Sequence, residues 1–126
     1  MSGVPNSTYM ERHASPGVEK LSLYIPIGAS GAVGTMHGFG ATCAKANTGI
    51  YTLTLNKGYA RVLGFYGTVH RANGTNVIMV PRLPADYTAG ALTLNFETVI
   101  NSGVATEPSS GDFITLTIEF DAGRLT

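Results

Sequence analysis

From residue 18 onward the hydrophobic positions recur every second residue. Leu21, Leu23, Ile25 and Ile27 alternate with Lys20, Ser22, Tyr24 and Pro26. That period turns one side of an extended strand to a core and the other to solvent. Pro26 has no N–H to give to a ladder, so this end of the strand is expected at a sheet edge. Tyr51, Leu53 and Leu55 alternate with Thr52 and Thr54, and Gly58 marks the end of that element. Leu63, Phe65 and Val69 read as one face of a further strand. Asn73-Gly74 is a strong hairpin signal, because both residues tolerate positive φ. The segment it would lead into, Val77 to Val80, is apolar on both faces, which suits a strand that is central or covered by another chain. Pro81 and Pro84 read as its end. Leu92, Leu94 and Phe96 then alternate with Thr93, Asn95 and Glu97. After a loop over 101–111, Ile114, Leu116, Ile118 and Phe120 alternate with Thr115, Thr117 and Glu119.

Seven or eight such strands with short turns and no helical period predict an all-β domain, a single β-sandwich of jelly-roll type, over residues 18–126. The glycine-rich stretch from Gly28 to Gly40 reads as a connection between sheets, and Ala41 to Ala46 as the one place for a short helix. Residues 1–17 are polar, carry Pro5 and Pro16 and show no period. They are expected to form an extended N-terminal arm.

Composition sharpens the picture in one respect. Only 13% of the 126 residues are charged, against 44% hydrophobic, and the usual charged share is about 25%. So sparse a charge suits a surface that faces other protein. Eight basic and eight acidic residues cancel without clustering, which argues against nucleic acid as a partner. No apolar run approaches the roughly 20 residues of a membrane helix, so no membrane association is expected. The opening MSGVPNSTYMERHASPG has no apolar h-region and reads as carrying no secretory signal. The single cysteine, Cys43, excludes an internal disulfide and a cysteine-based zinc site. Together these lead to the expectation of synthesis in a reducing cytoplasm. The sequons at Asn6 and Asn73 are then chance matches.

Candidate chemistry is sparse. His13, His37 and His70 stand far apart and form no paired-histidine metal motif. Cys43 has only Lys45 as a cationic neighbour and reads as a buried structural thiol. Gly38-Phe39-Gly40 lacks the following helix of a phosphate-binding loop and suits turns or close backbone packing. Glu97 and Glu119 project from polar strand faces and would serve glycosidase chemistry only by flanking one cleft. No enzyme activity, metal or cofactor is expected. What remains is aromatic surface. Tyr24, Tyr66, Tyr87, Phe113 and Ile50 fall opposite the strand core or in loops, where tyrosine offers rigid contact area with a polar end. The contact candidates are therefore Tyr9 and His13 in the arm, with Tyr24, Tyr66 and Tyr87 in the domain. A one-residue shift of register would instead place such aromatics on a second inner face.

The order of elements from Gly31 onward resembles a known group. Gly49-Ile50-Tyr51-Thr52-Leu53-Thr54-Leu55 is followed by Gly58-Tyr59, Leu63-Gly64, Leu92-Thr93-Leu94, Thr106-Glu107-Pro108-Ser109-Ser110-Gly111-Asp112 and the strand Phe113 to Phe120. This is similar to the jelly-roll capsid decoration, or cementing, proteins of tailed bacteriophages, over about three-quarters of the chain. Head-fibre and tail-fibre domains look alike at this level. The resemblance implies a homo-oligomer, dimer or trimer, on the capsid exterior of a virion, tying neighbouring copies of the major capsid protein together. It carries over no catalytic residue. A trimeric fibre-type receptor- or carbohydrate-binding domain is the alternative, with Asp86-Tyr87 as a possible seed of a sugar site. A fibre domain is expected to follow a repetitive shaft, and none is present in these 126 residues.

Overall fold

The computed structural model describes residues 17–72, 74, 76–82 and 89–121. Among them run β1 (Val18–Pro26), β2 (His37–Gly38), β3 (Ala41–Asn47), β4 (Ile50–Leu55), β5 (Arg61–His70), β6 (Ile78–Arg82), β7 (Thr93–Val99) and β8 (Phe113–Asp121). They form two four-stranded antiparallel sheets, in the orders β2-β1-β8-β5 and β3-β4-β7-β6. We call these sheet 1 and sheet 2. The links β2–β3, β4–β5, β5–β6 and β7–β8 each pass from one sheet to the other.

The chain is a β-sandwich because its alternation gives each sheet one apolar face. Leu21, Leu23 and Ile25 of β1 and Ile114, Leu116, Ile118 and Phe120 of β8 are buried. Across from them lie Tyr51, Leu53 and Leu55 of β4 and Leu94 and Phe96 of β7. Burying each of these large side chains contributes about 1.5–3 kcal/mol. Tyr59 stacks on Phe120 at 4.0 Å, and Tyr51 on Phe96 at 5.2 Å.

Pro26 ends β1, which is an inner strand of sheet 1 and not its edge, at a position that β2 does not pair. Ile27 bonds toward β8 through Asp112 and Gly111, while the Pro26 carbonyl accepts from Gly34 N–H on the opposite side at 2.8 Å. Even-numbered residues of β1 thus direct their backbone groups away from β8. The missing N–H of Pro26 faces a flank where β2 pairs only Leu23 and Tyr24.

Four local expectations are corrected. Ala41 to Ala46 is not helical but lies in β3, paired with β4 from Ala41↔Leu55 onward. A strand ladder outweighs the helix preference of alanine. Asn73-Gly74 does not close a hairpin, because β5 lies in sheet 1 and β6 in sheet 2. The chain crosses between sheets there, with Gly74 at φ +96°. The buried Asp112 carboxylate sets this exit by accepting from Arg71 Nε at 2.8 Å and from the Ala72 N–H at 3.2 Å. A bulge between Val62 and Gly64 inverts the inward–outward phase of β5. Leu63 is consequently 51% exposed, while Val62 and Phe65 pack on the core. Pro81 does not end its strand but sits within β6, opposite Phe96. That strand is at the edge of sheet 2, where proline is tolerated. The glycine-rich 28–40 stretch does lead from sheet 1 to sheet 2, carrying a short turn at Ala29–Gly31 and β2 on the way. The arm before Gly17 lies outside the described residues.

Candidate functional site

The outward-facing positions of sheet 1 gather its exposed aromatic rings. On β8 the inward Ile114, Leu116, Ile118 and Phe120 leave Phe113, Thr115, Thr117 and Glu119 facing out. Tyr24 of β1 stands opposite Thr115, and Tyr66 of β5 opposite Thr117. The sheet therefore brings Tyr24 and Tyr66 to one face, with β8 between them. Tyr9, His13 and Tyr87 lie outside the described residues.

Four rings on this face form a ladder that takes one residue from every strand. His37 of β2 meets Tyr24 of β1 at 5.6 Å between centroids. Tyr24 stacks on Phe113 of β8 at 4.9 Å, and Phe113 on His70 of β5 at 4.4 Å with planes only 12° apart. These last two separations match the roughly 4.8 Å spacing of neighbouring strands. Near-parallel rings so close are face to face, so the planes stand up from the sheet and turn their edges outward. His70 is the exposed last residue of β5, and its Nε2 lies 2.9 Å from Thr115 Oγ1. Beside the ladder lie the hydroxyl-bearing Ser22, Thr68, Thr115 and Thr117. Tyr66, 52% exposed, lies beside Gly64, where a Cβ would be in ordinary contact with Cε1 of the ring at 3.7 Å.

The charged groups of the face are confined to its other end. Lys20 pairs with Glu119 at 3.5 Å and Arg61 with Asp121 at 3.2 Å. The aromatic end is fixed by Asp112, which also accepts from Ser109 N–H at 2.7 Å. Burial acts to raise the pKa of Asp112, but the two N–H groups and the Arg71 guanidinium overcome it and hold the carboxyl below its ordinary range. Arg71 also donates to Ser109 Oγ at 2.8 Å. The site therefore rests on a rigid corner directly under His70 and Phe113.

The other candidate groups do not converge. Glu97 belongs to the outer face of sheet 2, where it pairs with Arg82 at 2.8 Å, and Glu119 to that of sheet 1. They cannot flank one cleft. Among the described residues no three His, Cys, Asp or Glu side chains come together as a metal-holding group. Cys43 faces inward on β3 opposite Leu53, and burial pushes its thiol up to about 12, so it stays protonated at neutral pH. Lys45, also inward on this edge strand, pairs with Glu107 and donates to the Ser30 carbonyl. Tyr51 donates to the Gly31 carbonyl at 2.7 Å. Burial and the neighbouring Glu107 raise the pKa of Tyr51. These contacts fasten the 29–31 turn over sheet 2.

Sequence reading found Tyr24, Tyr66 and Phe113 but missed His37 and Phe39. His37 lies in a two-residue strand that no alternation can reveal. Phe39, 90% exposed, sits in a turn made by Gly38 and Gly40, at φ +127° and +97°. This bears out the turn reading of those glycines. Two packed antiparallel sheets define the chain as a β-sandwich. Compared with known families, curated proteins and solved structures, it matches none.

Proposed function

We propose that this domain is a non-catalytic binding protein that attaches to a protein surface through the outer face of sheet 1. The observation that carries the reading is the ladder His37–Tyr24–Phe113–His70, an aromatic band across all four strands on a solvent-facing side. Solvated sheet faces ordinarily carry polar and charged residues, whereas exposed aromatic area of this kind is characteristic of contact surfaces. The low charge of the chain points the same way.

The particular form we favour is a homo-oligomeric capsid decoration protein, binding major capsid protein from outside the shell and cementing neighbouring subunits. The order of motifs from Gly31 onward and the repeated passage between sheets support a jelly-roll protein of that kind. The physical effect would be mass action, since a partner that binds only the assembled shell stabilises it. The fibre-type, sugar-binding alternative is less well supported. A sugar platform presents ring faces, and here Tyr24, Phe113 and His70 spend theirs on one another.

The test is sedimentation of the purified protein with empty phage-type capsids. Saturable binding at a fixed ratio to capsid subunits, abolished by Tyr24→Ala with Phe113→Ala, is expected. Absence of capsid binding together with capture on a glycan array would move the function to a fibre-type receptor domain.

A further inference from the structure

A large apolar residue between two glycines has no neighbouring side chain to shelter it. Phe39 stands between Gly38 and Gly40. It is 90% exposed, against 57% or less for the other large exposed hydrophobics among the described residues. Leaving a phenyl ring in water is unfavourable, yet the backbone holds it there. Gly38 and Gly40 have φ of +127° and +97°, conformations open to glycine at little cost. A Cβ on Gly38 would lie 2.5 Å from the Ser22 carbonyl oxygen, and one on Gly40 2.6 Å from Leu21 Cδ2. Both glycines are therefore pressed against β1. Gly38 pairs with Leu23, and the Gly40 carbonyl accepts from the Asn56 N–H, just past β4, at 2.8 Å. The turn is gripped from both sheets, with Phe39 between the two grips.

The surroundings indicate what such a ring would meet. Between Lys20 and Lys45 the sequence holds no Asp, Glu, Lys or Arg. Glu19 and Lys20, at the start of β1, are paired with Lys57 at 3.0 Å and with Glu119 at 3.5 Å. Two residues before Phe39 stands His37, the end ring of the ladder. A ring positioned by the backbone loses little conformational freedom on docking. Aromatic side chains that fill a desolvated pocket dominate the energy of protein interfaces. A lipid surface is a poorer match. Binding there draws on a broad apolar face with basic residues beside it, and here a single ring stands in a stretch without Lys or Arg.

We infer that Phe39 is an anchor of the contact, a ring that enters an apolar recess on the partner protein next to the ladder. The inference rests on the reading of sheet 1 as the contact face. It adds what the partner must offer: a phenyl-sized apolar recess at the β2 end of that face.

Sedimentation with empty phage-type capsids tests this, using Phe39→Ala and, as a control, Val104→Ala, which shortens an exposed side chain in the loop over 101–111. Phe39→Ala is expected to melt within about 2 °C of the parent protein, as a surface change does, and to bind about tenfold or more weakly. Val104→Ala is expected to bind as the parent does. Phe39→Ala bound as tightly as the parent would overturn the inference and leave the sheet 1 reading standing. A parent chain that does not bind capsids at all would remove both. Flotation of the parent, but not of Phe39→Ala, with phosphatidylcholine vesicles would also overturn the inference, by assigning the ring to a lipid surface.

Discussion

The two outer faces of the sandwich are built on the same four-strand plan and differ in where they carry rings: the aromatic ladder belongs to sheet 1 alone among the described residues. On sheet 2 the outward positions run Ala44, Thr52, Asn95 and Arg82 in one row and Thr42, Thr54 and Thr93 in the next. Small hydroxyl and amide groups dominate these two rows, where Thr52 Oγ1 bonds Asn95 Oδ1 at 2.8 Å, while the far end of the same face carries Ile50, Glu97, Val80 and the 53% exposed Ile78. On sheet 1 the corresponding positions hold the ring ladder, with two ion pairs beyond it. Threonine alone satisfies the β preference of an outward position and keeps it wet. Aromatic rings across every strand of the other sheet are more than solvation requires. Inward alternation therefore fixes which side is core, while the outward residues distinguish a solvated face from a contact face.

Removing the corner under the ladder should have the largest effect. Asp112→Ala leaves the Arg71 guanidinium and the N–H groups of Ser109 and Ala72 without their common acceptor. Losing one partner of a buried pair costs about 3 kcal/mol or more, so the melting temperature should fall by several degrees. Exchange should increase at His70 and Phe113 while Thr52 and Thr54 stay protected. The same carboxyl gives a pH signature. Its folded pKa is depressed, so its stabilisation is complete above the ordinary value of 3.8 and is lost as pH falls from there through the lower folded value. Asp112→Asn should flatten the acid limb of the stability profile over that window. An unchanged limb would show that the clamp does not hold the sheet 1 corner.

The second comparison concerns Leu63 and Phe65, which sequence reading placed on one face. Phe65 packs edge-on to Phe96 at 6.5 Å, whereas Leu63 stands in solvent beyond the bulge. Phe65→Ala should cost about 2–3 kcal/mol, at the low end for a core aromatic because the ring is only partly buried, and Leu63→Ala less than about 0.5 kcal/mol. Equal losses in chemical denaturation would restore the unbulged register. This pair marks the limit of what alternation conveys. The inner faces of β1, β4 and β8 were legible because burial selects every second residue without interruption. The bulge in β5 was not, since an extra residue leaves no mark on composition. Nor was the sheet change after His70, because Asn73-Gly74 carries a local turn preference and the Asp112 contacts that direct the exit come from 40 residues away. The outward rings of Tyr24, Tyr66 and Phe113 were visible one strand at a time, but their union with His37 and His70 needed the strand order.

Phe113→Ala addresses the ladder itself, since Phe113 touches both Tyr24 and His70. Two ring pairs contribute about 0.5–1.5 kcal/mol each beyond area. Partial exposure puts the expected total loss of stability near 1–2 kcal/mol by denaturant titration. Partner binding should fall more than tenfold, as for an aromatic hot spot. Retained binding with reduced stability would make the ladder a brace of sheet 1 and remove the contact role from that face.

The smallest effect is expected on sheet 2, and it is the control on which the contrast depends. Thr52→Ala removes the γ-methyl and the hydroxyl with its bond to Asn95, a contact already open to water. Water replaces that bond, so the stability change should stay within about 0.5 kcal/mol. Thr54→Lys goes further by placing a charge among Thr42 and Thr93. If sheet 2 is only solvated, both variants should bind partner with the affinity of the parent protein. If Thr54→Lys weakens binding as much as Phe113→Ala while both remain folded, the flat threonine face also contacts the partner. The sandwich would then be gripped from two sides rather than one.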